Sequence, residues 1–94
     1  MTDDPLSTVP DTFEGAVDQQ LDAKGLLCPE PVMLLHNTLR PMASGQVLHM
    51  VATDPSSRRD VTRFCDFLGH ELLAAGENPS ADGGVQFGYW VRKK

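Results

Sequence analysis

The stretch LDAKGLLCPEPVMLLHNTLRPMASG, Leu21 to Gly45, decides the order in which strands and helices are built. Leu21 closes a short strand over Val17–Asp22, and Lys24-Gly25 turns the chain. From Pro29 to about Ala43, Val32, Leu35, Leu39 and Met42 recur at spacings of three, four and three, which puts them on one stripe of a helix. Gly45 stands where helices are commonly closed. Pro41 lies near the end of the run, where its fixed ring and missing N–H bend or stop the last turn.

Downstream the same grammar repeats. Val47–Thr53 (VLHMVAT) is a near-continuous apolar run between Gly45 and Asp54-Pro55, as a buried strand requires. Ser56 or Ser57 caps a second helix with the stripe Val61, Phe64, Cys65 and Leu68, stopped by Gly69. His70–Gly76 reads as a third strand, and Glu77–Gly84 as turn, with Asn-Pro followed by Asp-Gly-Gly. Val85–Arg92 alternates cleanly: Val85, Phe87, Tyr89 and Val91 point one way, Gln86, Gly88, Trp90 and Arg92 the other. The order β-α-β-α-β-β makes an α+β, two-layer sandwich, a four-stranded mixed sheet with two helices on one face. Trp90 then stands partly exposed on the open face.

The 94 residues are one domain's worth of chain. Residues 1–16 read as an acidic flexible tail and residues 17–94 as the folded domain. The net charge is −5, and five of the thirteen acidic residues fall within the first 18 positions, which hold no Lys or Arg. The remainder balances eight acids against eight bases, which argues against a dedicated nucleic-acid binder. No apolar run is long enough for a membrane span, and the N-terminus lacks the basic and apolar regions of a secretion signal. The expected compartment is the cytoplasm. Cys28 and Cys65 make no disulfide framework, and the three histidines show no zinc spacing, so no metal site is expected.

The thiol at the turn is the chemical feature. Gly25 shapes the turn, Pro29 suits a first helical position, and Pro31 still lies in the first turn, where N–H groups have no intrahelical partner. Cys28 is thereby set at the helix N-terminus on a stiffened backbone. The positive end of the helix favours a thiolate there, and Glu30 opposes it, so a modest activation is expected. Moderate activation suits thiol–sulfur exchange. A hydrolytic cysteine needs a base within reach, and His36 is more than two helical turns away. The alternative for Cys28 is a small hydrophobe at the start of a helix. Cys65, on an apolar stripe, reads as core.

These residues resemble a known family. The run Leu21-Asp22-Ala23, Gly25-Leu26 and Cys28-Pro29-Glu30-Pro31-Val32 is similar to the Cys-Pro-x-Pro signature of the TusA (SirA/YhhP) sulfur-carrier family. Thr53-Asp54-Pro55, Arg59-Asp60, Phe64-Cys65, His70-Glu71-Leu72 and Tyr89 to Lys93 continue the likeness, over about residues 20–93. The resemblance implies a βαβαββ fold similar to the C-terminal domain of translation initiation factor three. It implies that Cys28 accepts persulfide sulfur from a cysteine desulfurase and passes it to a further relay protein, in 2-thiolation of the wobble uridine of tRNA. Related members serve other sulfur pathways, including molybdenum cofactor assembly. Gly25, Pro29, Glu30 and Pro31 are then the scaffold of Cys28. Many relatives carry a basic residue where this chain has Leu27.

Leu27, Met33 and Leu34 flank the thiol and are candidates for partner docking, or else ordinary helix filling. A monomer without cofactor, metal or direct nucleic-acid contact is expected, working as a sulfurtransferase. The competing functions are a regulatory or RNA-binding module on the same fold and a thiol redox sensor with Cys65 as resolving residue.

Overall fold

Two parallel strands cannot be joined by a tight turn, so the chain between them must cross over, and here it does so as a helix. The computed structural model describes residue 10, residues 12–80 and residues 83–94. Among them lie β1 (Gln19–Ala23), α1 (Glu30–Leu39), β2 (Val47–Ala52), α2 (Ser57–Leu68), β3 (Glu71–Pro79) and β4 (Val85–Arg92). The strands form one mixed sheet in the order β1-β2-β4-β3. β1 runs parallel to β2, while β4 is antiparallel to both β2 and β3.

Alternation decides the core. Leu48, Met50 and Ala52 of β2 and Phe87, Tyr89 and Val91 of β4 face the same side, where Leu35 and Leu39 of α1 and Val61 and Cys65 of α2 close over them in a single cluster. Both helices therefore cover one face, as expected. Each fully buried Leu or Val in this layer contributes about 1.5–3 kcal/mol. On the open face His49 stacks on the half-buried Trp90, with ring centroids 4.3 Å apart. Gly88 lies against this pair: a Cβ there would meet Trp90 at 3.4 Å and His49 at 3.5 Å.

Several boundaries differ from the sequence reading. β1 begins later and runs through Ala23, whose methyl is fully buried. β2 ends at Ala52, one residue short of the expected strand. α1 stops at Leu39 rather than Ala43, because Pro41 has no N–H to continue the ladder. Met42 bonds back to Leu39 in a tighter turn. β3 runs on through Glu77, Asn78 and Pro79, which pair with Phe87, Gln86 and Val85. These three residues were expected in the turn; their place on the outer edge of the sheet tolerates a proline, whose missing donor costs no ladder bond there. A register shift between Leu72 and Ala74 lets both Leu72 and Ala75 reach the core side. Val85, at the start of β4, is exposed, unlike its alternates. Ala81 and Asp82 of the expected Glu77–Gly84 turn lie outside the described residues.

Most of the segment read as a tail also lies outside them. Pro10 accepts a hydrogen bond from Ala75 on the outer edge of β3, at 2.9 Å. Asp18 pairs with Val47 through both its N–H and its carboxylate, which extends the β1–β2 pairing by one residue.

Lys93 closes the layers. Its ammonium donates to the carbonyls of Leu39, Arg40 and Met42 at 3.0, 3.2 and 3.0 Å, capping the carbonyl end of α1 from the terminal strand. Lys93→Ala is expected to lower stability by about 1–2 kcal/mol, read as a lower urea midpoint at unchanged slope.

Candidate functional site

β1 and β2 are parallel, so both are followed by a helix at the same end of the sheet. The β1–α1 and β2–α2 loops therefore meet outside the carboxyl ends of the strands, where open α/β sheets place their sites. Cys28 is carried on the first loop and is exposed.

That loop is held by the second. Gly25, with a φ of 81° that only glycine adopts freely, donates its N–H to the Thr53 hydroxyl at 2.9 Å. The N–H of Cys28 donates to Asp54 Oδ2 at 2.7 Å. Asp54 also accepts from the Ser56 hydroxyl at 2.8 Å and the Ser56 N–H at 3.1 Å. Those bonds from Ser56, together with the Cys28 N–H, hold the Asp54 carboxyl below the ordinary aspartate range. Ser56 sits at the cap of α2 as expected, but its hydroxyl serves Asp54 instead of a helix N–H. Below it, Ser57 hydrogen-bonds with the buried Tyr89 hydroxyl at 2.7 Å, which roots the start of α2 in β4. Burial pushes the Tyr89 phenol up to about 12.

Pro29 is the N-cap of α1 rather than its first helical residue, and the Cys28–Pro29 bond is cis. Pro31 is buried beneath the loop, while Pro29 and Glu30 are exposed. The N–H of Glu30 is used by the Leu27 carbonyl at 2.8 Å. The thiol thus stands one residue before the cap, and its own partner is on the other helix. Cys28 Sγ donates to Asp60 Oδ2 at 2.8 Å. That hydrogen bond, with desolvation and the charges of Asp60 and Asp54 behind it, pushes the thiol above the ordinary cysteine range, against a smaller opposing pull from the Ser56 hydroxyl. The modest activation expected from the helix end is therefore overturned for the resting protein: a hydrogen-bonded carboxylate outweighs a half-charge one residue away.

Between the helices an open groove of about 450 Å³ is lined by Cys28, Pro29 and Val32 on one side and by Asp60, Arg63, Phe64 and Phe67 of α2 on the other. Of the proposed docking residues, Leu27 and Met33 are 69% and 58% exposed, while Leu34 is half-buried against the core. The sequence reading missed Phe67, which is 88% exposed and falls off the apolar stripe of α2. An aromatic on the polar face of an amphipathic helix was the available signal. It named Asp60 only within the family likeness and not as a partner of Cys28, to which the pairing of two parallel strands brings it.

Cys65 is buried as expected, and burial pushes its thiol up to about 12. Among the described residues no three His, Cys, Asp or Glu side chains gather as a metal site, and no helix is long and apolar enough to cross a membrane.

Comparison with known proteins gives the family and the fold. The family described as Sulfurtransferase TusA matches residues 19–93. A protein of Pseudomonas putida (strain GB-1) named Sulfur carrier protein TusA is 57% identical over 77 residues, covering 82% of this chain and 90% of the relative. One of the same name from Pseudomonas aeruginosa (strain LESB58) is 53% identical over 79 residues, 84% of this chain and 94% of the relative. A crystal structure of a SirA-like protein from Desulfitobacterium hafniense superposes with a TM-score of 0.58 at 19% identity, covering 78% of this chain and 96% of the other, and so shares its fold. With a match that runs from the first residue of β1 to the lysine that caps α1, and more than half of the aligned positions identical to these relatives, the chain belongs to the TusA family.

Proposed function

We propose that this protein is a sulfur carrier that accepts sulfane sulfur on Cys28 from a cysteine desulfurase and hands it to a downstream relay protein, in the service of 2-thiouridine formation at the wobble position of tRNA. The observation that carries the reading is an exposed thiol fixed by two loops at the edge of an open groove, in a chain whose second thiol is sealed in the core. The names of the relatives support the carrier role.

The chemistry needs little else on this chain. The Cys28 thiolate attacks the outer sulfur of the donor's persulfide. The donor's S–S bond breaks, its electron pair stays on the donor cysteine, and Cys28 becomes a persulfide. An acceptor thiolate then takes the outer sulfur by the same step and returns Cys28 as thiolate. Pyridoxal phosphate belongs to the desulfurase. The exposed apolar side chains offered to partners are Phe67 on the groove wall and Leu27 and Met33 on either side of the Cys28–Pro31 turn in sequence, and Gly25, Pro29, Glu30 and Pro31 shape the loop. The carrier works as a cytoplasmic monomer.

Incubation with a cysteine desulfurase and cysteine is expected to add one sulfur to the peptide holding Cys28, removable by reductant. Sulfur found on no peptide, or on Cys65 alone, refutes the reading.

A further inference from the structure

The sulfur of Cys28 is exposed, yet it is not idle: it points at a carboxylate on the neighbouring helix. We propose that Asp60 sets the reactivity of the resting carrier, holding Cys28 as a hydrogen-bonded thiol. The inference takes Cys28 as the sulfur-bearing residue argued for above.

The geometry makes the case. Asp60 Oδ2 lies 2.8 Å from Sγ, and an ionised carboxylate is an acceptor only. The contact is favourable while sulfur keeps its proton and repulsive once it does not. The other charged groups around the thiol do not cancel this. Asp54, in the β2–α2 loop, adds negative charge behind the loop, and the charged residue in the first turn of α1 is the exposed Glu30, an acid and not a base. Arg59 reaches the far oxygen of Asp60 only at 3.6 Å and is largely exposed, while Arg63 lines the groove without an ion pair to Asp60. Lys24 lies in the preceding turn and is exposed to solvent.

The hold has a use and a chemical signature. An exposed thiolate is open to any electrophile or oxidant, whereas a thiol is nearly inert. A carrier that must wait between partners is protected if its sulfur stays protonated until a docked partner neutralises or displaces Asp60. When the thiolate does form beside Asp60, it is intrinsically the stronger nucleophile, because nucleophilicity rises with basicity at a slope of about 0.4–0.5.

These two effects oppose each other along the pH axis, which gives a test. The rate of Cys28 alkylation by iodoacetamide, followed by peptide mass so that Cys65 does not interfere, is measured against pH for the wild type and Asp60→Asn. The amide keeps the shape and removes the charge. Asp60→Asn is expected to react about two- to fivefold faster at pH 7 and to reach a plateau lower by about the same factor at high pH, so that the profiles cross. Superimposed profiles overturn the proposal. So does a uniform increase at every pH, which is what mere opening of the groove would give. Asp60→Glu, which restores the charge, is expected to fall between the two. The wild type alone supplies a second measurement, independent of whether the variants fold. Its Cys28 midpoint is expected above that of the same chain unfolded in urea, and a midpoint at or below it overturns the proposal. None of these readouts depends on sulfur transfer, so a failure of the carrier reading is recognised separately, by the absence of sulfur on Cys28.

Discussion

Cys28→Ala is expected to accept no measurable sulfur from a cysteine desulfurase, a fall of at least about 100-fold in rate, while Cys65→Ala loads as the wild type does. The asymmetry follows from the two environments. Cys28 is exposed at the groove; Cys65 is 2% exposed, between the helix layer and the sheet. With its thiol pushed up to about 12, only about one Cys65 in 10⁵ is a thiolate at neutral pH, and that one is out of reach of a partner's persulfide. Cys28→Ala removes a side chain whose hydrogen bond is to Asp60 at the surface, so its urea midpoint is expected within about 0.5 kcal/mol of wild type. A loss of loading without a loss of stability separates chemistry from folding. Undiminished loading of Cys28→Ala would remove the thiol from the mechanism altogether.

What the sequence made legible was whatever depends on neighbours along the chain. Strict alternation in Val85–Arg92 fixed which side chains of β4 enter the core, and all but the terminal Val85 do so. Gly69 was readable as a helix stop, and it adopts the left-handed φ of 79° that ends α2. The thiol was readable as a helix-start residue because Gly25, Pro29 and Pro31 surround it locally. Elements that depend on pairing were less legible. Glu77–Pro79 look like turn residues, and become strand only because β4 is long enough to pair with them. The alanines of β3 hide a bulge, since Ala74 and Ala75 carry no strong preference for either face.

The site was half visible for the same reason. Cys28 was named, but the groups that govern it come from 26 and 32 positions away in sequence, through Asp54 and Asp60. Local electrostatics predicted activation by the helix end. A carboxylate delivered by topology reversed the direction. The Lys93 cap on α1 was equally out of reach, since its three carbonyl partners lie more than 50 residues earlier.

Asp54→Ala is expected to be the most damaging substitution among the exposed and half-buried polar residues, because one carboxylate ties two loops together. It accepts from the N–H of Cys28 at 2.7 Å and from both the N–H and the hydroxyl of Ser56. Hydrogen bonds to a charged acceptor contribute about 1.5–3 kcal/mol each when buried. This carboxylate is partly exposed and water replaces some of what is lost, so a total of about 2 kcal/mol is the reasonable expectation for urea unfolding. The pH dependence identifies the source. The carboxyl of Asp54 is held below its unfolded value of 3.8, so its contribution is complete above that pH and disappears as pH falls through the folded value. The gap between wild type and Asp54→Asn should therefore be constant near neutrality and shrink below about pH 4. Freed of its anchor, the Cys28 backbone no longer holds the thiol against Asp60, so alkylation at pH 7 should rise while loading by the desulfurase falls. A general loosening of the protein would lower both stability and loading at every pH; only loss of an ionised tether lowers stability in a way that acid erases.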